Sequence, residues 1–277
     1  MTAPEKPRLQ WLVIVSVTVF HLACIAAPFT FTWSGLAVAI ALYVVTAQFG
    51  ICLGFHRLFT HGSFKTNRFV RYTLAICGVL ANQGPAVIWV GTHRLHHRHS
   101  DREGDPHSPA EDFSWGHVFW SFSFDHEGAR RAAGDLTHDK GLALIDKYYY
   151  VPQWFLIAIL YACGGISWVV WGVFVRTVFA FHCAWFVNSA AHRFGYRNFD
   201  TPDHSRNNWL VALFSFGEGW HNNHHAYQSS AAHGLRWWEI DTTYLIIRFL
   251  AWIGLATDVK LPPAEVFQGQ PAAVTKS

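Results

Sequence analysis

The chain has 277 residues, of which 51% are hydrophobic and only 14% charged, and its mean hydropathy is positive at +0.15. That balance is unusual for a soluble globule, and a dispersed net charge of +3 gives nucleic acid nothing to hold. Five cysteines (Cys24, Cys52, Cys77, Cys163 and Cys183) stand singly in apolar stretches, which excludes a disulfide or zinc framework.

After a short polar start, Leu9 to Ala27 is a 19-residue apolar run without charge, long enough to span a bilayer. It is long for the apolar core of a signal peptide, and a second apolar run follows at once. Pro28–Ser34 reads as an interfacial turn carrying Phe29, Phe31 and Trp33. Gly35 to Phe55 is the second span and runs directly into His56. Phe69–Val90 is apolar but interrupted by Arg71, Asn82, Gln83, Gly84 and Pro85, and is expected to form a buried or interfacial helix rather than a span. Ser108–Gly141 reads as polar and irregular.

Val151–Val187 is too long for one span and fits two, joined by a tight turn at Gly164-Gly165. Its single charge, Arg176, is expected to be buried or to snorkel. Helices are expected around Trp209–Gly217 and Thr242–Leu255, and residues 261–277 as a disordered tail. Trp11, Trp33, Trp154 and Trp252 suit interfacial anchors. The turns at 28–34 and 164–165 carry no Lys or Arg. By the positive-inside rule both termini and the polar segments then lie on the cytoplasmic side of four spans. The expected architecture is all-α and membrane-embedded, a single domain over residues 1–260 with a helical cap.

Histidine carries the chemistry. There are 18, and eight fall in three clusters: His56 and His61; His93, His96 and His97; His221, His224 and His225. In H-x-x-H-H on a helix, positions i, i+3 and i+4 share a face, while the adjacent pair diverges by about 100° and can reach two different ions. Residues i and i+5 differ by about 140°, so His56 and His61 can share an ion only where the helix ends or distorts. Asn188 and His192, at i and i+4 where a span ends, suggest a further donor.

Between Glu5 and Asp101 there is no acidic residue, so the first two clusters cannot build a carboxylate-rich di-metal site. Eight imidazoles exceed one catalytic zinc, and no H-E-x-x-H occurs. Imidazole suits iron among other metals, and the set accommodates a pair.

Four motifs in order, His56-Arg-Leu-Phe-Thr-His61, His93-Arg-Leu-His96-His97, Asn188-Ser-Ala-Ala-His192 and His221-Asn-Asn-His224-His225, resemble the integral-membrane acyl-CoA desaturases of the Δ9 (stearoyl-CoA) type. The similarity runs from about Gly54 to His225, with further matches at Gly104-Asp-Pro-His-Ser108 and Gly217-Glu-Gly-Trp-His221. The resemblance implies two irons held by His56, His61, His93, His96, His97, His192, His221, His224 and His225, with Asn188 acting through a water. It implies that O2 and two electrons are used to place a cis double bond, at Δ9, in a saturated acyl chain.

In the family a Gln, a Trp six residues on, and a Thr four before the Asn shape a bent acyl tunnel. Gln83 and Trp89 match, whereas the Thr position holds Ala184. His107 is a further candidate for substrate contact. The family's basic pair for CoA phosphates is missing around Ser121–Glu127, so an acyl lipid is an alternative to acyl-CoA.

His21 and His182, inside spans, suit interhelix hydrogen bonding. His99, His107, His117, His126, His138, His204 and His233 are expected to face solvent or line the cap. No C-x-x-C-H, H-P-G-G or G-x-G-x-x-G occurs, so electrons must come from a separate donor of cytochrome b5, ferredoxin or rubredoxin type with its reductase. The remaining partners implied are acyl substrate and membrane lipids. A membrane hydroxylase and a histidine-rich metal transporter are the competing readings.

Overall fold

A computed structural model describes residues 9–109, 112–123 and 125–267. It is almost entirely helical, with one small two-stranded sheet. Helix α1 (Trp11–Ala23) extends by a tighter turn to Ala26. Helix α2 (Trp33–Tyr43) starts at Thr32, whose Oγ1 accepts from the Gly35 N–H at 2.9 Å. It continues through Val44–Thr60 in wider, π-type turns, giving one largely apolar rod of 28 residues.

The interrupted stretch at 69–90 is two helices, not one: α3 (Arg68–Val79) and α4 (Ala86–His99). Asn82 (φ 59°) and Gly84 (φ 92°) take left-handed conformations and Pro85 follows, so the backbone cannot carry a helix through. Helix α3 lies against the π-type part of α2 at very short range. A Cβ on Gly50 would meet the Cys77 carbonyl carbon at 2.5 Å, and one on Gly78 would meet the Phe55 ring at 2.2 Å. This crossing seeds the main core, in which Leu53, Phe55, Ala75, Val79 and Val90 are buried.

The segment read as polar and irregular is more ordered and more apolar than expected. It holds α5 (Phe113–His117), α6 (His126–Ala132), α7 (Gly134–Thr137) and the start of α8 (Lys140–Lys147). Within it Val118, Trp120 and Phe122 pack against Val17, Phe181 and Trp185, because interleaved serines and glycines conceal an aromatic stripe.

Val151–His192 is 42 residues of apolar helix, divided by Gly165 (φ 62°, ψ −154°). Leu160, Val169 and Val173 form one cluster across that break, and a Cβ on Gly172 would lie 3.0 Å from the Leu160 Cδ1. In a straight helix twelve residues would separate them by about 18 Å. The stretch is therefore a hairpin, α9 (Val151–Val169) folding back into a return limb that enters α10 (Arg176–Ser189) through π-type turns. The expected turn is at its expected place. Arg176 is buried, bonding the Gly172 and Leu80 carbonyls and Thr46 Oγ1, so it ties α10 to α2 and to the end of α3.

Of these elements Trp33–Thr60 and Val151–His192 are long and apolar enough to cross a membrane, and Trp11–Ala26 is a shorter apolar stretch. Trp11, Trp33, Trp154 and Trp252 are all exposed. Helices α11 (Trp209–Phe214), α12 (His221–Ala226) and α13 (Thr242–Trp252) complete the polar side. Strand β1 (Lys65–Thr66) pairs antiparallel with β2 (Ala256–Thr257). The chain is still packed beyond residue 261: α14 (Ala264–Phe267) buries Val266 against Phe199, Ala232 and Leu235. The remainder of the expected tail, 268–277, lies outside the described residues.

Candidate metal centre

The nine histidines of the four motifs assemble into two groups. One ring nitrogen from each of His56, His61, His93, His97 and His224 lies within 4.8 Å of the others, and the same holds for His96, His192, His221 and His225. Adjacent histidines on one helix do reach different groups: His96 and His97 on α4 separate, as do His224 and His225 on α12. The awkward i, i+5 spacing is resolved by the π-type turns. The His61 N–H donates to the His56 carbonyl at 3.2 Å, an i to i+5 bond that brings the two rings edge to face, with centroids 4.8 Å apart.

Behind the rings stand carboxylates. His56 Nδ1 is 2.6 Å from Glu218 Oε2, His96 Nδ1 3.0 Å from Asp105, His192 Nδ1 2.8 Å from Asp101, and His225 Nδ1 2.8 Å from Asp203. Such a bond fixes the tautomer: Nδ1 holds the proton and Nε2 offers its lone pair inward. The inward nitrogens crowd. His221 Nε2 is 3.0 Å from both His192 Nε2 and His225 Nε2, whose protons are committed to carboxylates. His221 has one proton at most for the two contacts, so uncompensated lone pairs face each other. The Nε2 atoms of His61 and His96 are buried with no hydrogen-bond partner.

A cation among them resolves both defects. Separations of 2.9–3.1 Å between neighbouring Nε2 atoms match adjacent donors around a six-coordinate ion with bonds of about 2.1 Å; a tetrahedral ion spreads them to about 3.3 Å.

Electrostatics agree with that reading. Burial holds His61, His93, His97, His221 and His224 well below the usual histidine range, His96 at about 3 and His107 at about 4, so all are neutral donors at physiological pH. Burial alone would raise Asp101, Asp105 and Asp203, but their histidine partners and hydrogen bonds outweigh it and keep them ionised. Glu218 is likewise held low by Arg57, His56 and His233. The fully buried Arg57 also pairs with both oxygens of Asp241, at 2.9 and 3.0 Å.

The spacing of the histidines gives no sign of these carboxylates. Asp105 and Glu218 do fall inside two stretches that resemble the family, Gly104–Ser108 and Gly217–His221. His233 and His107 were expected at solvent or the cap lining; both are buried. His233 lies 4.3 Å, ring to ring, from His224 with Nδ1 3.0 Å from Glu218, and His107 stacks 4.2 Å from His96. In His221-Asn-Asn-His224-His225, Asn222 Oδ1 accepts the N–H groups of Asn198 and Phe199, while Asn223 donates to Glu239 and the His233 carbonyl. They anchor the helix that presents three histidines.

The other expected site residues fall around this centre. Trp89 Nε1 donates to Gln83 Oε1 at 2.9 Å, and the Trp89 ring stacks on His93 at 5.2 Å. Asn188 is half-buried on α10, one turn before His192, and Ala184 is half-buried one turn earlier still. His21 and His182 bond each other across α1 and α10 at 3.2 Å.

The structure thus combines two helical stretches long and apolar enough to cross a membrane with two histidine groups that could each hold a metal ion. The fatty acid desaturase family model matches residues 9–255, and the chain belongs to that family. It is 47% identical to the sn-1 stearoyl-lipid 9-desaturase of Anabaena variabilis, over 92% of this chain and 96% of that protein. It is 48% identical to the protein of the same name from Synechocystis, over 94% and 83% of the two chains. An acyl-CoA 5-desaturase of Anemone leveillei is 45% identical over 90% and 79%. The protein is accordingly an oxidoreductase of lipid metabolism.

Proposed function

We propose that the chain is an O2-dependent di-iron desaturase placing a cis double bond, at Δ9, in a saturated acyl chain. The observation that carries this is the sorting of nine histidines into groups of five and four, each with inward lone pairs and ionised carboxylates behind them. Two irons held there would supply the oxidising power to break unactivated C–H bonds. In this reading His56, His61, His93, His97 and His224 hold one, and His96, His192, His221 and His225 the other, with Asn188 completing the four-histidine set through a water. Neutral ligands in a desolvated site suit oxidation of an apolar chain.

The residues around the centre position the substrate and exclude water. Gln83 fixes the Trp89 indole, and the indole covers His93 where a bent acyl chain would pass. Ala184 leaves room that a threonine would fill. His107 backs His96 more directly than it reaches a substrate. The substrate is a fatty acyl-CoA or a lipid-bound acyl chain, and the relatives named above include proteins named for both. The protein spans the membrane four times as one domain over 1–260, its termini and helical cap on the cytoplasmic side, and draws electrons from a separate carrier.

Expression in a host lacking Δ9 activity, followed by mass spectrometry of its lipids with double-bond localisation, tests the reading. New monounsaturated chains are expected; hydroxylated chains without an alkene would overturn it in favour of the hydroxylase.

A further inference from the structure

Four carboxylates back the histidine groups, and their other partners differ in one respect. Glu218 is shared with Arg57 and His233, Asp203 with Thr201 and Ser205, and Asp105 with the backbone of Asp101 and His107. None of those links leads to an exposed side chain. Asp101 does: its Oδ2 accepts from His192 Nδ1 at 2.8 Å and from the backbone N–H of His204, also at 2.8 Å. The Asp101 side chain is 2% exposed and that of His204 is 64% exposed. One carboxylate oxygen thus stands between the surface and a histidine of the four-membered group.

Three arginines gather around this point. Arg102 follows Asp101, Arg193 follows His192, and Arg206 lies two residues past His204; the first two are exposed and the third partly so. On these loops Asp200 is paired with Arg197 at 3.7 Å, and Glu103 and Asp112 are the other exposed acids among the described residues.

We propose that this face receives a small acidic one-electron carrier protein, and that electrons reach the four-histidine group through the His204 backbone, Asp101 and His192. The inference rests on the desaturase reading, which requires two electrons per turnover. Each docking would oxidise the carrier by one electron, which ferric iron held by the histidines would accept, with no bond made or broken; two dockings would supply the pair. Electron transfer through protein slows steeply with distance, so the port belongs where the covalent and hydrogen-bonded path is shortest. Arginines steer an acidic partner to it, and redox encounters of this kind use small, salt-sensitive interfaces.

The test uses the full-length, iron-loaded protein in lipid nanodiscs, without oxygen or acyl substrate. It follows reoxidation of a pre-reduced plant-type ferredoxin and of a soluble cytochrome b5 domain. For whichever carrier reacts faster, the double variant R102E/R206E is expected to lower the bimolecular rate about tenfold and to flatten its dependence on salt. Iron content, and reduction by dithionite through a small viologen, should stay at the wild-type level. His204→Ala keeps the N–H and should react normally, whereas His204→Pro removes it and should slow the step after binding, with rates expressed per iron retained. Docking here is overturned if R102E/R206E is reduced at the wild-type rate, or is equally slow with viologen. The route is overturned if His204→Pro matches His204→Ala. Because no acyl product is read, failure to form alkenes in the same preparation would remove the desaturase reading alone.

Discussion

Glu218 Oε2 lies 2.6 Å from His56 Nδ1 and 3.0 Å from His233 Nδ1, so one buried carboxylate oxygen orients two imidazoles at the five-histidine group. Glu218→Gln keeps the shape but exchanges a charged acceptor for an amide. It should weaken metal retention by roughly 10–100-fold, the usual cost of losing a partner behind a ligand. Metal analysis after graded chelation measures this; wild-type retention would mean that Glu218 serves Arg57 alone.

His96 belongs to the four-histidine group, and His96→Ala removes one of its donors without disturbing the other five histidines. Iron should fall from two per chain to about one, and desaturation should cease. Substantial remaining desaturation would take His96 off the ligand list.

Ala184→Thr should shift the product pattern, because the hydroxyl and methyl would narrow the space that the resemblance places along the acyl tunnel. A several-fold change in the ratio of chain lengths or double-bond positions is expected by gas chromatography of host lipids. Gln83→Ala should act differently: it strands the Trp89 indole N–H, costs about 1–3 kcal/mol where that group stays dry, and loosens regiochemistry. An unchanged profile in both variants would separate these residues from the substrate.

His107 and His233 contribute to the pH dependence of the metal-free protein. Burial, outweighing nearby carboxylates, holds each at about 4 in the fold, against an ordinary value of 6.5. A histidine with a depressed folded value stabilises the fold fully above pH 6.5. That stability is lost as pH falls from 6.5 towards 4, because the unfolded chain takes up protons that the folded chain refuses. Each group contributes on the order of 3 kcal/mol across that window. Thermal midpoints of chelated protein should therefore drop steeply below pH 6.5, and a flat profile between pH 6.5 and 4 would contradict the buried neutral assignment.

Gly165 sits at φ 62° and ψ −154°, a region open in practice to glycine alone. Gly165→Ala should cost about 1–3 kcal/mol, read as a lower thermal midpoint, although a Cβ there has nothing within 4 Å to strike. A neutral result would mean that the hairpin relaxes at low cost.

Some of this was readable from residue order and some was not. The hairpin at Gly164-Gly165 announced itself by length and by two glycines, and the pairing of His96 with one group and His97 with the other followed from helical phase. The carboxylates did not announce themselves. Asp101, Asp203 and Glu218 act across 91, 22 and 162 residues of chain, separations that no local spacing encodes. The break between α3 and α4 was visible in Asn82, Gly84 and Pro85 as an interruption, but only the left-handed backbone at two of them turns it into a stop. The aromatic stripe at 113–122 was hidden because serine and glycine between the rings lower its average hydropathy.

The π-type turns of Val44–Thr60 have a consequence for the way this chain tolerates change. Each such turn is one residue longer than its α counterpart, so the angular phase at which His56 emerges is set by a residue count. Removing a single position from the α-helical part upstream, Trp33–Tyr43, would swing His56 by about 100°, away from His93 and His224. Apolar substitutions that leave the count intact, and that spare the close crossing at Gly50, keep that bearing. The rod is therefore strict in length, with His56 as the pointer that registers any miscount.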